Sequence, residues 1–98
     1  MRQAVKTRPR AKEIPAADDA GGSRSVRRAI EIFEFLLQLG GPTTIGEIVS
    51  ALGIPKSTAY ELVRTLTDSG YLEPSRRGGI VLGRKLFELG MAYRAQVD

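Results

Sequence analysis

Apolar side chains recur with a helical period in the first half of the chain, and the spacing predicts where each helix starts and stops. After Ala20-Gly21-Gly22, Ser23 or Ser25 can cap a helix running to about Leu39, ended by Gly40-Gly41-Pro42. Its positions Val26, Ala29, Ile30, Phe33, Leu36 and Leu37 follow three- and four-residue steps and predict a core-facing stripe. Ile32, Phe35 and Leu39 form a second apolar set on another face, more than one small core absorbs. That surplus predicts a contact with a second copy of the chain, the competing reading being cover by the N-terminal arm or by the last helix.

Thr44-Ile45-Gly46-Glu47 has the spacing of a capping box, with Thr44 as N-cap and Glu47 reaching back. The short helix it opens carries Ile45, Ile48, Val49 and Leu52 inward, and Gly53 closes it. After Ile54-Pro55 a third helix is predicted from about Lys56 to Ser69, with Gly70 as its stop. Two helices joined by about three residues, with Gly in the turn, predict a helix-turn-helix. Tyr71-Leu72-Glu73 and Ile80-Val81-Leu82 are β-prone runs flanking Pro74-Ser75-Arg76-Arg77-Gly78-Gly79, a turn-rich hairpin tip. A last helix from near Arg84 carries Leu86, Phe87, Leu89, Met91 and Tyr93. The pattern is mainly α with one small β-hairpin: a winged helix-turn-helix.

Composition narrows the chemistry. The 98 residues have neither Cys nor His, which excludes disulfides, thiolate or imidazole metal sites, and every catalytic arrangement built on those groups. Glu31, Glu34, Glu47, Glu61 and Glu88 are spread over helix surfaces, and no Gly-rich loop follows a strand, so neither an enzyme nor a cofactor is expected. With no transmembrane run and no apolar leader, a cytoplasmic protein is expected. Residues 1–22 hold five bases against three acids and almost no large apolar side chains, predicting a disordered basic arm. Residues 23–98 hold ten bases and eight acids, so the placement of charge says more than the net value of +4.

That placement points to double-stranded DNA. On the third helix Ala59, Leu62, Val63 and Leu66 form the inner stripe. Ser57, Tyr60, Glu61 and Arg64 then share the outer face, and all four can hydrogen-bond to base edges in a major groove. Lys56, Ser57 and Thr58 occupy the first turn, where free N–H groups and the positive end of the helix dipole favour a phosphate. Arg76 and Arg77 have no core to serve at the hairpin tip, and they suit backbone phosphates or an adjacent minor groove. Thr43 and Thr44 are candidate phosphate contacts at the start of the second helix, although capping alone accounts for Thr44 and Thr43 reads equally as a solvated loop residue. Glu61 has two readings: an i, i+3 pair that orients Arg64, or acceptance of a hydrogen bond from a cytosine amino group. The fold alone also admits a protein-interaction module without sequence-specific DNA binding.

Arg28-Ala29-Ile30 through Leu36, Ile45-Gly46-Glu47-Ile48, Leu52-Gly53-Ile54-Pro55-Lys56-Ser57-Thr58, Leu66 with Gly70-Tyr71-Leu72, and Leu82-Gly83 with Leu86 and Leu89-Gly90 together form one ordered set. The set, from about Ser23 to Tyr93, resembles the N-terminal domain of IclR-type transcriptional regulators. The resemblance implies a bacterial regulator that binds a palindromic operator as a dimer or tetramer. It also implies a small-molecule effector bound by a C-terminal domain that this chain does not contain. Residues 23–83 then form the DNA-binding domain, and residues 84–98 begin a linker helix toward the effector domain. The chain departs from the family pattern at Glu61, where a basic residue is frequent, and at Val81, a wing position often polar or basic.

Overall fold

The computed structural model describes residues 22–97. The expected basic arm, residues 1–22, lies outside the described residues except for Gly22. The order of elements is α1 (Arg24–Leu39), α2 (Ile45–Leu52), α3 (Lys56–Asp68), β1 (Leu72–Pro74), β2 (Ile80–Leu82) and α4 (Arg84–Val97). Among the described residues, four helices and one antiparallel hairpin make a winged helix-turn-helix, as the pattern predicts.

Local chemistry sets the helix ends. Ser23 caps α1, its hydroxyl accepting from the Val26 N–H at 3.1 Å. Thr44 caps α2 by accepting from the Glu47 N–H at 3.1 Å. The return half of the expected capping box is absent, because the Glu47 carboxylate instead accepts from the Thr43 hydroxyl at 2.8 Å. Gly53 takes the left-handed conformation (φ 66°) that lets the chain leave α2 and re-enter helix three residues later, at Lys56.

One core holds the elements together. Ile32 and Leu36 from α1, Ile48 from α2, Ile54 from the turn, Ala59 and Val63 from α3 and Leu72 from β1 are all buried. Each large aliphatic among them contributes about 1.5–3 kcal/mol by leaving water. Ala59 is fully buried in this core, on the inner face of α3. Leu62, Leu66, Ile45, Val49, Leu52 and Ile80 close the rim. Phe33 meets Tyr71 at a ring separation of 6.4 Å, tying α1 to the start of the hairpin.

The expected assignment of α1's two apolar faces is corrected by the structure. Ile32, expected at an intermolecular contact, is fully buried in the core. Phe35 packs half-buried against that core, and Leu39 is partly exposed at the helix end. Val26, Ile30 and Leu37, expected inside, are exposed by 58%, 49% and 71%. The physical reason is that α1 is apolar around more than half its circumference. Helical spacing identifies both stripes, but only the position of α2 and α3 decides which one becomes the core.

The wing is more than a hairpin. Its strands pair Leu72 with Leu82, Glu73 with Val81, and Pro74 with Ile80. The outer edge of β2 pairs with Thr43: the Thr43 N–H donates to the Ile80 carbonyl at 2.9 Å, and the Ile80 N–H returns a bond at 2.7 Å. This rung fixes the wing to the start of α2. It also requires Gly79 (φ 86°), because a Cβ there would sit 2.8 Å from the Thr43 carbonyl oxygen.

α4 contributes little to the core. Its first turn is held by the Glu73 carboxylate, which accepts from the Arg84 N–H at 2.8 Å, and by the Lys85 N–H donating to the Gly70 carbonyl at 3.0 Å. No residue of α4 is buried, and Phe87, Leu89, Met91, Tyr93 and Val97 are all exposed.

Candidate nucleic-acid interface

The candidate interface is built on α3, which its inner face holds rigidly. Ala59 and Val63 are buried and Leu62 and Leu66 half-buried, so the opposite face is turned to solvent. Ser57, Tyr60, Glu61 and Arg64 are all exposed, as the periodicity predicts. From Ser57 to Arg64 the face spans about two turns, or about 10 Å, a length that matches about three base pairs.

The N-terminus of α3 differs from the other two capped ends. Its N-cap is Pro55, with no side-chain cap bond, so no hydroxyl engages the N–H groups of Lys56, Ser57 and Thr58. The first helical turn has no internal acceptor for them, and water or an anion must satisfy them. Lys56 and Ser57 are exposed and Thr58 is half-buried.

At the wing tip, Ser75 organises the turn. Its N–H donates to the Gly79 carbonyl at 2.8 Å, its carbonyl accepts from Gly78 at 3.0 Å, and its hydroxyl accepts from the Arg77 N–H at 3.2 Å. Arg76 and Arg77 are thereby held exposed at the tip, and neither makes a side-chain hydrogen bond among the described residues. Such a pair of free guanidinium groups is suited to phosphate oxygens.

Thr43 does not join this set as expected. Thr43 is 1% exposed, its hydroxyl engaged by Glu47 and its backbone by Ile80. It therefore has no surface for a phosphate, and its position serves the junction of wing and α2. Thr44 is exposed, with its hydroxyl oxygen accepting as the α2 cap and its O–H left as a donor. The expected Glu61–Arg64 pair is also not formed: among the described residues the side-chain ion pair is Lys85 with Glu88, at 3.1 Å on α4. The residue-by-residue reading omitted Thr65, which is exposed four residues beyond Glu61 on the same face. The i, i+4 step from Glu61 was the signal that could have found it.

Among the described residues no group of acidic, His or Cys side chains is placed to hold a metal, and no helix is long and apolar enough to cross a membrane. The open grooves on the surface are shallow, and that between α1 and α2 is lined by Phe35, Gly46, Ser50 and Ala51. A helix-turn-helix with an outward polar helix and a basic wing defines a class of DNA-binding domain.

The IclR helix-turn-helix domain family matches residues 25–76, more than half of the chain, and the chain belongs to that family. It is a DNA-binding regulator domain and not an enzyme. Among curated relatives, the HTH-type transcriptional repressor AllR of Escherichia coli (strain K12) is 29% identical over 73 residues, 74% of this chain and 27% of that protein. AllR of Salmonella typhimurium matches to the same extent. The chain thus spans 27% of the length of the curated relatives it matches. Among solved structures, the IclR transcriptional regulator from Alicyclobacillus acidocaldarius is 27% identical with a TM-score of 0.65, covering 72% of this chain and 29% of that one. The IclR family regulator from Brucella abortus shares the fold, with a TM-score of 0.70 at 22% identity, over 86% of this chain and 33% of that one.

Proposed function

We propose that this domain reads a specific operator as a dimer, with α3 in the major groove and Arg76 and Arg77 on the phosphate backbone or in an adjacent minor groove. The observation that carries the reading is the exposed face Ser57, Tyr60, Glu61 and Arg64, backed by the buried Ala59 and Val63. The uncapped first turn at Lys56, Ser57 and Thr58 supports a phosphate contact beside that face.

A two-fold dimer matches a palindromic site, because the same surface is used twice. The exposed Val26, Ile30 and Leu37 on α1 are the proposed contact, with Leu82 and the apolar side chains of α4 as its continuation. In this reading α4 is the start of a linker toward a C-terminal effector-binding domain, and the whole regulator is cytoplasmic. The name of AllR supports repression as the mode of action.

Arg64 and Arg76 separate the two kinds of DNA contact. Arg64→Ala is expected to cost about 1–3 kcal/mol on the operator and to relax preference at one base pair. Arg76→Ala is expected to weaken operator and random duplex alike and to lower the salt slope by about one unit. Fluorescence anisotropy on both duplexes at several salt concentrations checks this. Equal losses on operator and random DNA for Arg64→Ala would remove α3 from the base-reading role.

A further inference from the structure

A carboxylate in the middle of a DNA-facing helix is electrostatically unfavourable beside phosphates, and Glu61 occupies that place without a partner among the described residues. Among the described residues its carboxylate is in neither a salt bridge nor a hydrogen bond, and Arg64 does not reach back to it. The side chain is exposed at mid-helix, in line with Ser57 and flanked by Arg64 and Thr65. The neighbouring Ala59 and Val63 are buried, which fixes the direction in which Glu61 leaves the helix.

We infer that Glu61 is a specificity-determining residue whose carboxylate accepts a hydrogen bond from the amino group of a cytosine in the major groove. This rests on the proposed docking of α3 and adds to it the identity of one base pair. The major groove presents acceptors at guanine O6 and N7 and at thymine O4, all of which repel a carboxylate. Adenine offers an N6 donor, but its N7 acceptor lies beside it. Cytosine N4 is the donor without that neighbour, so a C·G pair is the one at which the charge is compensated. Elsewhere Glu61 penalises binding, so it acts by rejecting other bases as much as by accepting cytosine.

The amide of glutamine has a donor and an acceptor together, the pattern that matches adenine N6 and N7. Glu61→Gln therefore moves the preference at one position from cytosine to adenine and leaves the other positions alone. The test is selection from a randomised duplex library with the full chain as wild type, Glu61→Gln and Arg64→Ala, followed by affinities on single-base variants of the wild-type site. The wild type is expected to favour cytosine at one position of each half-site by about tenfold or more. That preference should persist in Arg64→Ala and become adenine in Glu61→Gln. An unchanged consensus in Glu61→Gln with tighter binding to all DNA overturns the inference, leaving only repulsion. A loss confined to the base read by Arg64 overturns it as well, in favour of an orienting role. If the wild type enriches no sequence at all, the proposed operator-reading function fails, and the inference fails with it.

Discussion

Ile32→Ala is expected to destabilise the domain by about 2–5 kcal/mol, while Leu37→Glu on the same helix is expected to leave it folded and make it monomeric. Ile32 is fully buried between α1, α2 and α3, so truncation removes apolar contact and leaves a cavity that a small core closes poorly. A loss of that size is a large fraction of the stability of a domain this small, about 5–15 kcal/mol at most. Leu37 is 71% exposed, so a charge there meets water in the monomer and is buried only if a second copy covers it. Urea unfolding measures the first effect, and sedimentation with far-UV circular dichroism the second. If Ile32→Ala were harmless and Leu37→Glu unfolded the chain, α1 would be docked by its other face. If Leu37→Glu remained as dimeric as the wild type, the Val26, Ile30 and Leu37 surface would not be the contact.

Gly83→Ala is expected to destabilise the domain by about 1–3 kcal/mol, through a clash that no side chain can relieve. Gly83 is buried where the chain leaves β2 and turns into α4, with its N–H donating to the Tyr71 carbonyl at 2.9 Å. A Cβ at that position would collide with the Gly70 carbonyl oxygen and lie 2.8 Å from both the Leu72 nitrogen and the Tyr71 carbonyl carbon. All three neighbours are backbone, so relief means moving the β1 segment away from α4. For a domain of this size, each kcal/mol lowers the melting temperature by about 4–8 °C. Gly90→Ala provides a control of opposite sign. Gly90 lies within α4 with nothing near its would-be Cβ, and alanine is favoured over glycine in a helix by about 0.5–1 kcal/mol. Thermal denaturation that lowered both variants equally would contradict the close approach at Gly83.

Much of this fold is local, which is why it was legible in the sequence. Ser23 and Thr44 cap their helices as their positions suggest, and Gly40 and Gly53 end them. Ala59 and Val63 are buried as the spacing of α3 requires, which leaves Ser57, Glu61 and Arg64 outside. What could not be read depends on partners distant along the chain. The burial of Thr43 follows from a backbone rung to Ile80, and its hydroxyl diverts Glu47 from the expected return bond to the cap. Neither contact leaves a periodic trace. The two stripes of α1 have the same spacing, so Ile32 and Ile30 exchanged roles until the packing of the other helices was known. The amphipathic pattern of α4 shows that it has an apolar face, but not that this face lies outside the core. At the interface the sequence found the outward residues of α3 and the wing. It misjudged Thr43 and the Glu61–Arg64 pair, both of which depend on side-chain partners.

The most direct test of the central claim is the affinity of the wild-type chain for its selected duplex and for a scrambled one, measured by anisotropy from low to physiological salt. The predicted result is a linear fall of log affinity with log salt on both duplexes, with a slope of about −0.9 per phosphate contacted, and a preference for the selected duplex that persists throughout. Binding that is absent, or that is insensitive to salt and indifferent to sequence, would contradict a helix-turn-helix that reads DNA through α3 and its wing.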